Sequence, residues 1–289
     1  MLKQRIISAA ALLVFVIAAL LLFSPYAFAL TVAAIVVLGI WEWCQFARHQ
    51  NDIWRWLITG LSACGLFVII FAYRDYINAG IVLNSYTAWL LVVALIWWAV
   101  ALLLVASYPY STKYWQKPAL LQLFFGFFTL VPFLLALLAL RLYNYNQNSH
   151  EGLWLLFYVL LLIWSADTGA YFCGKAFGKH KLAARVSPGK TWQGAIGGVV
   201  VALIVGILFL QITPNEFVLR SVSLPLLLLV SFGTVSISIL GDLTESMFKR
   251  HVGIKDSSQL IPGHGGILDR IDSLTAALPF FCAMFYFCL

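Results

Sequence analysis

Four acids bracket the most chemically loaded stretch of this chain. Asp242 and Glu245 lie three residues apart, as do Asp269 and Asp272. On a helix that spacing puts both members of a pair on one face. Between the pairs come Lys249, Arg250 and Lys255 and the breaker run Pro262-Gly263-His264-Gly265-Gly266, with Arg270 close behind. Mg²⁺ takes oxygen ligands from a few carboxylates together with substrate phosphates, so the pattern points to a metal-assisted reaction on phosphates. The competing reading is neutralisation by Lys249, Arg250 and Arg270, which accounts for Glu245 and Asp272 more readily than for all four acids. Asp242 and Glu245 are expected at the C-terminal end of their helix, where the dipole disfavours them, and Asp269 and Asp272 at the start of the next, where it favours them. A phosphate monoester, with its second pKa near ~6, is mostly an oxyanion at pH 7 and needs no base. His264 is therefore read as a phosphate contact or part of the turn.

A second charged stretch runs from Cys173 to Gly194, with five cations among residues 175–190 interleaved with glycines. It suits polyanions or anionic headgroups; the plainer alternative is the cytosolic excess of lysine and arginine usual in membrane proteins. Gly189-Lys190 and its neighbours let backbone N–H groups and an ammonium converge on a phosphate, and Ser187-Pro188-Gly189-Lys190-Thr191 is expected to open a helix towards it. A P-loop is excluded: position 184 is Ala where that motif needs Gly, and no strand is expected before it. Asp167, beside Ser165, Thr168 and Gly169, is either a helix–helix hydrogen-bonding acid or part of the same site; the charged loop that follows favours the site. Glu42, between Trp41 and Trp43, is read as an interfacial acid reaching for water. Ser246 has no G-x-S-x-G context for a hydrolase nucleophile.

These residues must be positioned by membrane helices. The chain is 63% hydrophobic and only 10% charged, against ~25% charged in soluble domains. Nine apolar runs, 6–23, 26–46, 57–73, 86–106, 119–140, 153–172, 194–212, 224–241 and 267–288, are each long enough to approach a ~30 Å core. The first resembles a signal peptide but is longer than the usual ~7–15-residue apolar region, and is read as a retained span. With the N-terminus cytosolic, 15 of the 18 basic residues, among them Lys3, Arg5 and Arg48, fall on the inside, and Arg74, Arg141 and Arg220 on the outside. The net charge of +7 is thus topological and implies no nucleic acid. The expected fold is all-α and polytopic. Residues 1–150 form a transmembrane scaffold; 151–289, with eight of the eleven acids, form the catalytic part. The five cysteines have neither disulfide nor zinc spacing.

The chain resembles the bacterial phosphatidate cytidylyltransferases, or CDP-diacylglycerol synthases. It carries Ser246, Phe248, Lys249, Arg250, Lys255, Asp256, Ser258, Ile261, Pro262, His264, Gly265, Gly266, Ile267, Asp269, Arg270, Ile271 and Asp272, all seventeen constrained positions of that family's signature. Gly241-Asp242-Leu243 with Glu245, and Ser187 to Thr191, are similar too. Many members have Glu at Gln193 and Gly at Ser258, so these two positions depart from the pattern. The resemblance implies transfer of CMP from CTP to phosphatidate, with release of pyrophosphate, for phospholipid biosynthesis. It also implies Mg²⁺, an active site on the cytosolic face of the inner membrane, contact with membrane lipids, and a homodimer. Asp242 and Asp269 match metal-binding acids of that family, and Asp167 an acid tied to a second cation, for which K⁺ is the candidate. Glu245 and Asp272 join the metal set. Lys190, Lys249, Arg250, Lys255 and Arg270 are assigned to CTP and pyrophosphate, with Ser187, Gly189, Thr191, His264, Gly265 and Gly266 as the phosphate cradle. The rivals are a CTP-dependent polyprenol or lipid kinase, an ion-coupled transporter, and a CDP-alcohol phosphotransferase, whose D-G-x2-A-R motif is absent.

Overall fold

The computed structural model describes residues 2–47 and 52–289. Arg48 lies outside the described residues, as do the side chains of Lys3 and Arg5. The long helices are α1 (Leu2–Leu22), α2 (Pro25–Trp43), α3 (Asp52–Ala72), α5 (Ser85–Ala106), α7 (Ala119–Arg141), α8 (Glu151–Phe177), α9 (Trp192–Ile212), α10 (Leu224–Val252) and α11 (Leu268–Cys288). Short helices α4 (Arg74–Asn78) and α6 (Thr112–Trp115) fill two of the connections. Among the described residues, eight helices are long and apolar enough to cross a membrane; the apolar stretch found in α1 is Ala10–Leu22. The protein is an all-α polytopic membrane protein.

The expected helix ends need revision where the chemistry lies. α8 extends to Phe177 and α10 to Val252, well past the apolar limits at 172 and 241. At 1.5 Å per residue, the 29 residues of α10 make a rod of roughly 44 Å, longer than the ~30 Å hydrocarbon core. Its last turns therefore stand outside the apolar layer while their backbone bonds continue. Lys249, Arg250 and His251 in the final turn suit the helix dipole, and Gly253 ends the helix at φ +78°. The polar loop thus shrinks to 253–267. Asp242 sits nearly three turns before the helix end, so the dipole penalty expected for it does not apply.

Ser187–Thr191 is the second departure. Rather than a loop, it is strand β2, paired antiparallel with β1 (Lys181–Ala183) in a short hairpin. The Thr191 hydroxyl then caps α9 by accepting from Gly194 N at 3.1 Å.

α8 packs on α9, α10 on α11, and α11 also on α7. Gly241 lets α10 and α11 close up: a Cβ there would lie 2.5 Å from the Asp272 carbonyl oxygen. Phe248 of the signature is fully buried and meets Trp43, Phe46, Trp115 and Phe125, so it locks α10 against α2, α6 and α7. The Ser8 hydroxyl near the start of α1 touches His264, which places that end of α1 beside the site loop. The Arg141 guanidinium, at the far end of α7, donates to the Leu20 carbonyl at the other end of α1.

Candidate functional site

The C-terminal ends of α2, α8 and α10 and the N-terminal ends of α9 and α11 meet at one end of the bundle, roofed by the hairpin and the 253–267 loop. Lys190 of β2 crosses to α10 and pairs with Asp242 Oδ2 at 2.6 Å; Ser246 Oγ donates to Asp242 Oδ1 at 3.2 Å. Asp167 of α8 lies within electrostatic range of both Lys190 and Asp242. Asp167, Lys175, Gly189, Lys190, Thr191 and Ser273 face a cavity of about 390 Å³. Beside it opens an apolar groove of about 990 Å³ between α5, α9 and α10, which shares Leu182, Ala195 and Ile239 with the polar cavity.

The remaining acids lie deeper. Lys249 Nζ bridges Asp269 Oδ1 at 2.6 Å and Glu245 Oε1 at 3.2 Å. Asp269 Oδ2 accepts three further hydrogen bonds: from Ser257 N (2.8 Å), Ser257 Oγ (2.9 Å) and Gly266 N (2.8 Å). Asp272 Oδ1 accepts from Ser273 N at 2.7 Å. It shares a minute cavity with Glu245, Thr244 and Thr275. The two acid pairs thus form a chain of neighbouring charges rather than converging on one point. Among the described residues, no three His, Cys, Asp or Glu side chains stand at metal-ligand spacing.

Two of the acids, Asp242 and Glu245, keep capacity for a positive charge. Asp242 is exposed enough to exchange its lysine partner. Apart from the Lys249 ammonium, both buried carboxylate oxygens of Glu245 have no hydrogen-bond donor, which is an unmet demand for positive charge.

Other expected residues take supporting places. Arg250 Nε donates to the Val186 carbonyl at 3.3 Å and so holds the hairpin. Arg270 Nε donates to the His264 carbonyl at 3.1 Å, and the His264 ring contacts Ser8 Oγ at 2.9 Å. Lys255 and Arg270 are exposed and are not drawn into the acid cluster. Gly265 adopts φ +80°, and a Cβ on Gly266 would overlap Ser257 Oγ, so the loop can close on Asp269 only with glycine at both positions. Gln193 Oε1 accepts from the backbone N–H groups of Lys179 and His180 at 3.0 and 3.1 Å. It ties the start of the hairpin to α9, a task for which one carbonyl oxygen suffices. The five cysteines are free thiols.

Glu42 contradicts the interfacial reading. It is wholly buried and accepts hydrogen bonds from Ser257 Oγ, Ser258 Oγ, Ile267 N and Leu268 N. Hydropathy placed it correctly near a helix end, but its partners are more than 200 residues away, and local sequence carries no trace of them.

Residues 3–288 match the model of the cytidylyltransferase family. The chain belongs to that family. It is 51% identical to a phosphatidate cytidylyltransferase of Haemophilus influenzae over 289 residues, covering all of both chains. It is 43% identical to one of Pseudomonas aeruginosa over 286 residues, 99% of this chain and 97% of that one. With a Staphylococcus haemolyticus protein of the same name it shares 48% identity over 138 residues, about half of each chain. This cytidylyltransferase is accordingly a nucleotidyl-transferring membrane enzyme, and its site must accommodate a polyphosphate.

Proposed function

We propose that this cytidylyltransferase joins CMP from CTP to phosphatidate, releasing pyrophosphate and leaving CDP-diacylglycerol. The observation that carries the substrate class is adjacency: a cavity lined by Lys175, Lys190 and Asp167 shares a wall with an apolar groove, the form suited to an amphiphile with an anionic head. The names of the two near-full-length relatives point to the same substrate.

In this reading a phosphate oxygen of phosphatidate attacks the α-phosphorus of CTP. The new P–O bond forms as the bond to the β-phosphate oxygen breaks, and pyrophosphate departs with that electron pair. Both reactants are anions, so catalysis consists of charge neutralisation and positioning. Lys190 and Lys175 face the cavity and hold phosphate oxygens there. Lys190 exchanges Asp242 for substrate as the head group arrives. Lys249 fixes Asp269 from below, Arg250 holds the hairpin in place, and the apolar groove orients the acyl chains and keeps water from the lipid side. Asp242 and Asp269, backed by Asp272 and Glu245, would hold Mg²⁺, whose chemistry is to neutralise phosphate charge; Asp167 would hold a second cation such as K⁺. In this reading the enzyme lies in the bacterial inner membrane with this end of the bundle in the cytosol, and works as a homodimer.

The test is product analysis with purified protein, phosphatidate, labelled CTP and Mg²⁺. CDP-lipid and pyrophosphate in equal amounts are expected; CDP with a phosphorylated lipid would indicate a kinase, and absence of lipid-linked CMP would overturn the assignment.

A further inference from the structure

Asp269 is held in place partly by the other half of the chain. Glu42, at the end of α2, offers both carboxylate oxygens to the segment around it. Oε1 accepts from Ser258 Oγ at 2.6 Å and Ile267 N at 2.9 Å, and Oε2 from Ser257 Oγ at 2.9 Å and Leu268 N at 2.7 Å. Each oxygen thus takes one hydroxyl and one backbone N–H. α11 has no capping side chain of its own at Ile267, so the N–H groups that open it are satisfied by a residue from another helix. Gln45, one turn on, donates to the Ser257 carbonyl at 2.7 Å, and Ser257 is fully buried.

The Ser257 hydroxyl is the joint. It lies 2.9 Å from Glu42 Oε2 and 2.9 Å from Asp269 Oδ2, but has one proton to give. Donating to Asp269 holds that acid against the loop; turning to Glu42 leaves an Asp269 lone pair for an incoming cation or substrate group. Asp269 keeps the backbone N–H bonds of Ser257 and Gly266 in either state. A carboxylate at 42 suits this arrangement and an amide does not. Its partners are two backbone N–H groups, the Ser258 hydroxyl and, when it turns that way, the Ser257 hydroxyl, and the NH₂ of a glutamine would face a backbone N–H. Its negative charge also lies at a helix N-terminus, where the dipole favours it.

We propose that Glu42 is a positioning residue for Asp269, acting through Ser257 and the N–H groups that open α11. The kinetic part of this proposal rests on the cytidylyltransferase reading above; the structural part does not. The variants are Glu42→Gln, Glu42→Asp, Ser257→Ala and the double Glu42→Gln/Ser257→Ala, each assayed in detergent for kcat and for KM towards CTP. Amide hydrogen exchange at 266–268 is measured in parallel. Glu42→Gln is expected to lower kcat about 10–100-fold, as loss of a hydrogen-bonded supporting group commonly does, with the KM for CTP within about threefold of wild type. Exchange at Ile267 and Leu268 is expected to rise at least tenfold. Glu42→Asp, which keeps the charge, is expected to recover part of kcat. The double variant is expected to be little worse than Glu42→Gln alone, because both changes break one path.

Faster exchange with unchanged kcat would reduce Glu42 to a helix cap and overturn the proposal. Additive losses in the double variant, or lowered kcat with unchanged exchange, would overturn it equally. If Glu42→Gln does not accumulate in the membrane, Ser257→Ala decides: it keeps every backbone bond, and wild-type kcat would refute the relay. If the wild-type protein forms no CDP-lipid, the functional reading fails instead; the exchange measurement then decides the clamp, and unchanged protection in Glu42→Gln overturns it.

Discussion

Replacing Lys249 with Met tests the buried charge network most directly. Lys249, Glu245 and Asp269 have side-chain exposures of 11%, 4% and 7%, so little water can take over when the ammonium is removed. Asp269 retains three N–H or O–H donors on Oδ2, whereas Glu245 is left with no polar partner among the described residues. Removing one partner of a buried ion pair costs about 3–5 kcal/mol. Lys and Met have similar helix propensities and reach, so the change is mostly electrostatic. With an unfolding entropy of about 2.1 cal/mol/K per residue, that loss corresponds to a fall of about 5–8 °C in Tm. Tryptophan fluorescence during heating in detergent micelles measures it. Glu245→Gln added to Lys249→Met removes one of the two stranded charges and is expected to restore about half of the shift. A fall below about 1 °C for Lys249→Met in correctly inserted protein would refute the reasoning, since it would mean that the two carboxylates do not need this cation.

Asp242→Asn should leave expression and Tm nearly unchanged, because Asp242 is partly exposed and its ion pair with Lys190 lies at a surface where such pairs contribute about 0–1 kcal/mol; CDP-lipid formation should nevertheless fall at least about 100-fold. Chelation with EDTA should abolish turnover and added Mg²⁺ restore it; full activity in excess chelator would count against the metal assignment. Gly241→Val should push α10 from α11, since even a Cβ would lie 2.5 Å from the Asp272 carbonyl oxygen and 3.1 Å from Ala276 Cβ. A loss of about 1–3 kcal/mol should be visible as a lowered Tm. Gln193→Glu should retain activity within about twofold, because either side chain supplies the oxygen that accepts from Lys179 and His180; Gln193→Leu should lower activity by loosening the hairpin.

The membrane class follows from sequence alone, and the sequence also marks the acids that the fold brings to one end of the bundle. Side chains that cross the hydrocarbon must be apolar, and the backbone there must be helical to satisfy its own polar groups, so hydropathy marks α2, α5, α7, α9 and α11 to within a few residues, while α3 begins five residues ahead of its apolar run. The acids at 242, 245, 269 and 272 stand out because charge near a bilayer is costly. Helix ends were less legible where a helix leaves the membrane: hydropathy falls at 241, but hydrogen bonding carries α10 on to Val252. The strand at Ser187–Thr191 was hidden because its partner and the roof above it, not its own composition, make it extended.

Tertiary structure alone decided who holds whom between elements. Lys249 facing Glu245 is the i,i+4 spacing of one helix and is legible in the sequence, but Lys190 reaching Asp242 and Lys249 reaching Asp269 depend on crossing distances between elements and could not be read from spacing. Glu42 is the clearest case. A lone acid between two tryptophans reads as a surface group, and only the packing of α2 against the 253–267 loop makes it the buried acceptor for two serines and the opening of α11. Sequence fixes what each segment prefers locally; the pairing of segments far apart in the chain is set by packing, and that pairing determines what each acid can do.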